Sequence, residues 1–496
     1  MEIYPKKEDF LRLSENFNVI PLYTVISADL ETPISLFYKL FDEKDYVFLL
    51  ESMEGPEKWA RYSFIGFDPY LVFKSKVEKV SVEKGETKKE FISVNPWEEL
   101  KKILSKFRAP QFKELPRFWG GAVGYVAYEM IPFFEKRVPR GVDTLNFNDL
   151  FFIFPKKLLI YDRLKHSYFF LNLCFLEEGR REISYEELIE SLLALINSLT
   201  EKKIYIPKIK KELALSPELE ENEFLEMVKR AKEYIAAGDI IQVVLSQRFF
   251  VEEDLLLNPH TSFFLYRGLR KINPSPYMFY LKLEDEVLIG ASPEILIRVE
   301  DKKVETRPIA GTRKRGKTEE EDLALEEELL KDEKELAEHI MLVDLGRNDL
   351  GRVSLYGTVE AYELLTVERY SHVMHIVSGI KGILKEEEDM FSAFKASFPA
   401  GTVSGAPKIR AMEIISELEK KTRGPYAGAV GYFGFSQNMD FCITIRTFFQ
   451  KKNCLYLQAG AGIVADSIPI KEYEETLNKA KALEKALELF SKGYFL

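Results

Sequence analysis

Residues 428–464 read GAVGYFGFSQNMDFCITIRTFFQKKNCLYLQAGAGIV. Short apolar and aromatic runs alternate here with glycines and polar turns, a pattern that predicts β-strands over 428–435, 440–449 and 455–464. The segment that follows, 471–490, has the composition of a helix. Strands followed by a helix that can cover them indicate an α+β fold.

The first half of the chain has the same strand pattern. Apolar, β-branched and aromatic runs predict strands at 46–50, 151–154 and 168–171. The segment 202–222 is rich in lysine and glutamate and contains two prolines, so it is the best candidate for a domain boundary. We therefore expect domains over 1–200 and 201–496, although a charged surface crossing within one interleaved fold would have the same composition.

Beyond this boundary the apolar spacing becomes helical. Apolar residues between Phe224 and Ile235 recur at 3, 4 and 7 positions, which predicts an amphipathic helix that Gly238 can terminate. A strand is expected over 240–250, and the acidic segment 318–345 has helical composition throughout.

Composition excludes several classes of protein. The chain has 496 residues, 46% hydrophobic and 30% charged, and a net charge of −10 without a long basic tract, so nucleic acid is not an expected partner. No stretch approaches the ~20 apolar residues that span a bilayer, and the start lacks a signal peptide's apolar core, so a cytoplasmic protein is expected. Cys174, Cys442 and Cys454 lie in or beside apolar runs, and we expect them to be reduced packing residues.

Two pairs of glutamates have helical spacing. Glu335 and Glu338 are three residues apart, as are Glu472 and Glu475, so each pair projects from one helical face. If the two faces met, they would form an oxygen-rich Mg²⁺ site with open positions for an anionic substrate. The alternative is that both pairs are solvated helix faces, which are common in a chain with 80 Asp and Glu.

Glycines mark two further candidate sites. Residues 401–408, GTVSGAPK, form a turn before a helix expected to begin near Pro407, where backbone N–H groups can hold a carboxylate. Gly460 and Gly462 follow a strand as in a dinucleotide fingerprint, but Pro469 stands where the helix of that motif would already be running. We interpret them instead as a backbone that closely approaches a ligand or a neighbouring strand.

Two histidines and one arginine remain as candidates. His372 and His375 lie in a segment that alternates like a strand, so they should point to opposite faces and not share a metal. One of them can serve as a proton-transfer group or as a hydrogen-bonded core histidine. Arg446 ends an apolar strand, and is either an anion clamp or a surface residue.

Together these segments resemble the chorismate-utilising enzymes, most closely the anthranilate synthase component I family. The matching segments are 49–52 (LLES), 61–66 (RYSFIG), 242–246 (QVVLS), 290–294 (GASPE), 307–312 (RPIAGT), 344–349 (DLGRND), 399–408 (PAGTVSGAPK) and 458–462 (QAGAG). The resemblance implies an α+β fold of two interlocked domains, with antiparallel sheets packed as a sandwich and helices outside. It also implies a tryptophan regulatory site in the N-terminal domain and a chorismate-binding catalytic domain.

The implied reaction is that of a carbon–oxygen lyase that converts chorismate and ammonia to anthranilate and pyruvate, the first committed step of tryptophan biosynthesis. By resemblance, Glu338 and Glu475 hold Mg²⁺, with Glu335 and Glu472 as inner or water-bridged supports. Glu294 matches the family's general acid.

By the same resemblance, His375 matches the base that takes the ring proton. Arg446, Tyr426 and Lys479 match a clamp on the enolpyruvyl carboxylate. The remaining residues implied to line the substrate pocket are Gly311, Thr312, Thr402, Gly460, Ala461 and Gly462.

Two positions discriminate among related enzymes. Isochorismate and salicylate synthases place a water-activating lysine where this chain has Gln242, whose carboxamide can orient ammonia instead. Aminodeoxychorismate synthase component I carries a nucleophilic lysine where this chain has Ala310. Anthranilate is therefore the favoured product, with these sister enzymes, or a non-catalytic binding protein on the same fold, as alternatives.

The resemblance also implies partners. A glutaminase needs a reactive cysteine, and all three cysteines lie in or beside apolar runs, so we expect a separate glutamine amidotransferase subunit in a heterotetramer. Allosteric feedback inhibition by tryptophan is implied by residues that match the family's regulatory site. These are Glu51, Ser52, Asn273, Pro274, Tyr277 and Met278.

Overall fold

The computed structural model describes residues 1–53, 61–176, 185–204, 211–370 and 373–492. The strands over these ranges are β1 (Ile3–Tyr4), β2 (Val19–Ser27), β3 (Tyr46–Glu51), β4 (Tyr62–Lys76), β5 (Lys79–Lys84), β6 (Thr87–Ile92), β7 (Gly121–Val126), β8 (Leu150–Asp162), β9 (Ser167–Phe175), β10 (Ser216–Pro217), β11 (Gln242–Glu252), β12 (Tyr277–Leu283), β13 (Glu286–Ser292), β14 (Ile295–Glu300), β15 (Lys303–Thr306), β16 (Ile309–Lys314), β17 (Glu360–Arg369), β18 (Val373–Ile383), β19 (Gly405–Ala406), β20 (Ala429–Gly434), β21 (Met439–Ile443), β22 (Thr447–Lys451) and β23 (Cys454–Ile463).

The helices are α1 (Lys7–Ser14), α2 (Pro33–Tyr38), α3 (Pro96–Leu104), α4 (Ile131–Phe134), α5 (Tyr185–Glu201), α6 (Glu221–Ala236), α7 (Pro259–Ile272), α8 (Glu319–Lys331), α9 (Glu333–Val353), α10 (Met390–Ser397), α11 (Lys408–Glu419) and α12 (Pro469–Ser491). Short 3₁₀ turns occupy Phe41–Glu43, Tyr128–Met130, Asp254–Leu257 and Gly401–Val403. No helix of the described ranges is long and apolar enough to cross a membrane.

The strands form antiparallel ladders that branch at the long strand β8. One arm continues through β4, β3, β12, β13, β22 and β23 to β11. The other continues through β7, β20, β21, β14 and β15 to β18. The expectation of an α+β fold with antiparallel sheets is confirmed.

Hydrophobic side chains from both halves of the chain share the main core. Phe152 of β8, Phe433 of β20 and Phe441 of β21 are each fully buried in it. Phe391 of α10 stacks on Phe433 with ring centroids 4.4 Å apart. Burial of each such side chain contributes roughly 1.5–3 kcal/mol to stability.

Hydrogen-bonded ladders cross the predicted boundary near residue 200. Strand β3 pairs with β12, and β7 pairs with β20, so each ladder joins strands from the two halves. The division into 1–200 and 201–496 remains a prediction, and part of the boundary segment, 205–210, lies outside the described residues.

Two predicted elements are wrong in their extent. The strand predicted over 440–449 is two strands, β21 and β22, because Arg446 adopts a left-handed conformation with φ 52° between them. The helix predicted over 318–345 is two helices that meet at Asp332. Asp332 has an extended backbone, and its carboxylate accepts hydrogen bonds from the N–H groups of Lys334 and Glu335, which starts a new helix.

Candidate active site

A cavity of about 230 Å³ opens where β11 and β23 face the Gly401–Val403 turn and helices α9 and α12. This main cavity brings together residues that lie far apart in sequence. The predicted site residues that line it are Gln242, Glu294, Glu338, Thr402, Tyr426, Arg446, Gly460, Gly462, Glu475 and Lys479.

Glu294 lies between β13 and β14 and is buried in the wall of the main cavity. Its carboxyl accepts a hydrogen bond of 3.2 Å from the hydroxyl of Thr402. Burial raises the pKa of Glu294 to about 8, although the hydrogen bond from Thr402 acts in the opposite direction. Glu294 is therefore mainly protonated at neutral pH, the state that a general acid requires.

Arg446 supplies positive charge at the junction of β21 and β22. The Ala291 N–H donates to the Arg446 carbonyl across 3.1 Å, which supports the left-handed turn. Among the described residues Arg446 forms no ion pair with a carboxylate. Burial lowers the pKa of Arg446, but a guanidinium stays protonated in proteins, so its charge is available to an anion. The buried Tyr426 lies in the same wall.

Lys479 of α12 connects this helix to the floor of the cavity. Its ammonium donates to the Gly460 carbonyl across 2.8 Å and to Glu475 across 2.7 Å. A Cβ at Gly460 would lie 2.7 Å from the Tyr426 hydroxyl, so a larger residue here would collide with the cavity wall.

Gln242 begins β11 and is buried beside Gly462. Its side-chain nitrogen donates to Glu338 across 3.2 Å, whereas its carbonyl oxygen has no hydrogen-bond partner among the described residues. A Cβ at Gly462 would lie 2.6 Å from the Gln242 nitrogen. The geometry therefore leaves one buried acceptor free inside the cavity.

The four predicted metal ligands divide into two pairs. Glu338 and Glu475 line the cavity, whereas Glu335 and Glu472 do not. Burial and the charge of Glu338 raise the pKa of Glu335, and burial and the charge of Glu475 raise that of Glu472. Within the described ranges, no three metal-ligating side chains of His, Cys, Asp or Glu converge on one point. Within each pair the carboxylates nevertheless repel each other, and they supply the hard oxygen donors that a divalent cation prefers.

His375, Gly311, Thr312 and Ala461 are not among the cavity-lining residues. His375 Nδ1 lies 3.1 Å from the Gly311 carbonyl oxygen and 3.0 Å from the Thr312 hydroxyl. Because a carbonyl only accepts, Nδ1 carries the proton and Nε2 is the acceptor. Burial lowers the pKa of His375, so it is neutral and able to take a proton at neutral pH. His372 lies outside the described residues.

A second cavity, of about 70 Å³, lies between β3, β12 and β21. Of the predicted tryptophan-site residues, Glu51, Ser52, Tyr277 and Met278 line it, whereas Asn273 and Pro274 do not.

Sequence reasoning missed a buried charge cluster in the wall of this second cavity. Asp440 accepts hydrogen bonds from Arg298 at 2.7 Å, Arg117 at 3.0 Å and Tyr277 at 2.8 Å. A lone aspartate within an apolar strand was the one signal available in the sequence.

Comparisons with known proteins indicate the family of the chain. A family model described as chorismate binding enzyme matches residues 47–485. The chain is 48% identical over 494 residues to an anthranilate synthase component 1 of Acetivibrio thermocellus, covering 98% of each chain. A crystal structure of anthranilate synthase component I from Streptococcus pneumoniae superposes with a TM-score of 0.75 at 39% identity, over 87% of this chain and 93% of that one. A menaquinone-specific isochorismate synthase of Escherichia coli, at 20% identity and TM-score 0.68 over 97% of this chain and 98% of that one, shares the fold.

Proposed function

The chain belongs to the chorismate binding enzyme family, and on that premise we propose that it converts chorismate and ammonia to anthranilate and pyruvate. One observation carries the proposal. A single cavity combines Glu294, a buried carboxyl with a raised pKa, with Arg446 and with carboxylates from two helices. Arg446 has no carboxylate partner within the described part of the chain. A dicarboxylate with a leaving hydroxyl needs these groups together.

Chorismate carries one carboxylate on its ring and one on its enolpyruvyl ether. Arg446, with Tyr426 and Lys479, would hold the enolpyruvyl carboxylate by charge-assisted hydrogen bonds. The ring carboxylate would then lie toward Glu338 and Glu475, which also line the cavity. These two acids repel an anion, so they require a cation between them and the substrate.

We propose Mg²⁺ as that cation. Glu338 and Glu475 would hold it, with Glu335 and Glu472 as direct or water-bridged supports. When bound, the ion neutralises the ring carboxylate and orients the ring. Lys479 now pairs with Glu475 and Arg313 with Glu335, so both cations would compete with the metal for these carboxylates.

The remaining residues of the site would transfer protons or orient ammonia. Glu294 would donate its proton to the departing ring hydroxyl, which leaves as water, while ammonia forms a bond to the ring and its extra proton passes to solvent. The free carbonyl oxygen of Gln242 would accept an N–H of ammonia and orient it. His375 would then take the ring proton through Nε2, and the ring C–O bond of the ether would break as the ring becomes aromatic. The released enolpyruvate takes a proton from solvent and becomes pyruvate.

Two residues support anthranilate as the product rather than that of a sister enzyme. Ala310 lines the cavity and carries no nucleophile, and the carboxamide of Gln242 cannot act as a base toward water. Aminodeoxychorismate and isochorismate or salicylate remain the alternative products.

We propose that ammonia comes from a separate glutamine amidotransferase subunit in a heterotetramer. Burial raises the pKa of the Cys174 thiol to about 12, and burial also raises the pKa of Cys442, so neither thiol is an activated nucleophile. The purified chain should release anthranilate with an ammonium salt and none with glutamine. Release from glutamine by the chain alone would contradict this proposal.

We also propose the second cavity as a tryptophan site. It combines the apolar surface of Met278 and Phe64 with polar groups from Ser52 and Tyr277, and the Asp440 cluster in its wall adds charge. An amino acid with a large apolar side chain needs this combination. Strand β21 links the two cavities, because it carries Asp440 at one end and leads to Arg446 at the other. Tryptophan and chorismate would then lower each other's affinity equally.

A further inference from the structure

Arg423 is a fully buried arginine that lies just outside the main cavity, with 1% of its side chain exposed. Its guanidinium donates to the Val403 carbonyl and to the Val244 carbonyl, each across 2.8 Å. Both acceptors belong to residues that line the main cavity, and Val403 directly follows Thr402. Arg423 therefore joins the Gly401–Val403 turn to strand β11.

Glu419, at the end of α11, compensates the charge of Arg423. Two guanidinium nitrogens donate to its carboxylate across 2.8 and 2.6 Å. The same carboxylate accepts from the backbone N–H and the hydroxyl of Ser246 in β11, across 2.8 and 2.9 Å. Ser246 pairs with Gly460 of β23 in the sheet. The Arg423–Glu419 ion pair is therefore also connected to β23, the strand that carries Gly460 into the cavity.

The guanidinium carbon of Arg423 lies over two aromatic rings. It lies 4.7 Å from the ring centroid of Tyr128 and 5.7 Å from that of Tyr426, within cation–π range of both. Tyr426 lines the main cavity, so a second cavity residue is held by the same side chain.

We propose that Arg423, held by Glu419, is a positioning residue for the reaction, and that it fixes Thr402 and Tyr426 relative to Glu294 and the substrate. This inference rests on the proposed function, because Thr402 and Tyr426 matter only if the cavity binds chorismate. A planar, forked donor is required, since one nitrogen must reach the turn while another reaches β11 and the carboxylate. An ammonium retains the charge but cannot make these bonds together.

The test is Arg423→Lys in the full chain, compared with Arg61→Lys. Arg61 forms a two-nitrogen pair with the buried Asp162 and does not line the main cavity, so it controls for the loss of a forked arginine–carboxylate pair. We expect Arg423→Lys to lower kcat/KM for chorismate by about ten- to hundredfold, as expected for a misplacement of about 1 Å. Arg61→Lys should retain the wild-type value within about twofold.

A pH profile separates positioning from general stability. If the turn shifts, Thr402 no longer donates to Glu294, and the basic limb of the kcat profile should move to higher pH in Arg423→Lys alone. In a Thr402→Val background, Arg423→Lys should cost less than it does in the wild type, because one of its targets is already lost.

Several results would overturn the role of Arg423. One is that Arg423→Lys has the same kcat/KM and the same pH for the basic limb of its kcat profile as Arg61→Lys. Another is that the fold losses in kcat/KM caused by Arg423→Lys and by Thr402→Val simply multiply in the double variant. If Arg423→Lys does not fold, Glu419→Gln replaces it, and failure of both to fold would mean that the pair serves folding rather than positioning. A wild-type chain that makes no anthranilate rejects the proposed function itself, whereas an active wild type with an unaffected Arg423→Lys rejects only this role.

Discussion

Thr402 donates a hydrogen bond from its hydroxyl to the carboxyl of Glu294 across 3.2 Å. The bond favours the ionised form of Glu294, whereas burial favours the neutral form, and burial is the larger effect. Glu294 therefore keeps its proton at neutral pH while it stays oriented toward the main cavity. A solvent-exposed glutamate would be ionised there and could not protonate a leaving hydroxyl.

We expect kcat to fall as pH rises through about 8, because a carboxyl whose pKa is raised to about 8 loses its proton in that range. Ammonium deprotonates over a similar range, so the profile must be measured at a constant concentration of free ammonia. Glu294→Gln should lack activity at every pH. The role of Glu294 would be contradicted if kcat changed with pH only near the ordinary pKa of a glutamate.

Gln242→Leu should raise KM for ammonia by about ten- to hundredfold, because it removes the free acceptor proposed to orient the nucleophile. KM for chorismate should change less. Gln450→Leu is the matched control. Gln450 is also buried, and its carbonyl oxygen also has no hydrogen-bond partner in the described ranges, but it does not line the main cavity. Equal effects of the two substitutions on KM for ammonia would contradict the assignment.

Chelation of divalent cations should abolish activity, and Mg²⁺ should restore it. Glu338→Gln and Glu475→Gln should each raise the Mg²⁺ concentration for half-maximal activity by at least about tenfold. Glu474→Gln, an exposed neighbour on α12, should leave that concentration unchanged. Calorimetry gives an independent readout, because Mg²⁺ binding heat should be lost in the first two variants. Full activity in a chelator would refute the magnesium proposal.

L-Tryptophan should raise the melting midpoint of the chain and KM for chorismate. At a hundred times its Kd, a ligand stabilises the folded state by about 2.7 kcal/mol. Ser52→Phe fills the second cavity and should abolish the thermal shift, whereas Ser27→Phe, on the exposed end of β2, should retain it. A thermal shift retained in Ser52→Phe would place the tryptophan site elsewhere.

The sequence predicted elements well wherever a local pattern decides them. Short apolar and aromatic runs located β3, β8, β9 and β23, because these strands are buried over most of their length. The left-handed turn at Arg446 was not predictable, since it is supported by a hydrogen bond from Ala291, 155 positions earlier in the chain. Arg446 was therefore assigned to a strand end, although the turn is what directs it into the cavity.

The candidate site was predictable in part. Glycine-rich turns and paired acids marked Thr402, Gly460 and Glu338 as residues of interest. The pair Arg423 and Glu419 gave no signal, because charges four residues apart are common in a chain with 70 basic and 80 acidic residues. Only burial distinguishes this pair from the others, and burial depends on the tertiary structure.

The most direct test of the central claim is to incubate the purified chain with chorismate, Mg²⁺ and an ammonium salt at mildly alkaline pH and to identify the product by fluorescence and mass. The account predicts anthranilate and pyruvate in equal amounts. An amino compound that keeps the enolpyruvyl group, or a hydroxylated product, would contradict it, and would assign the chain to a sister activity on the same fold.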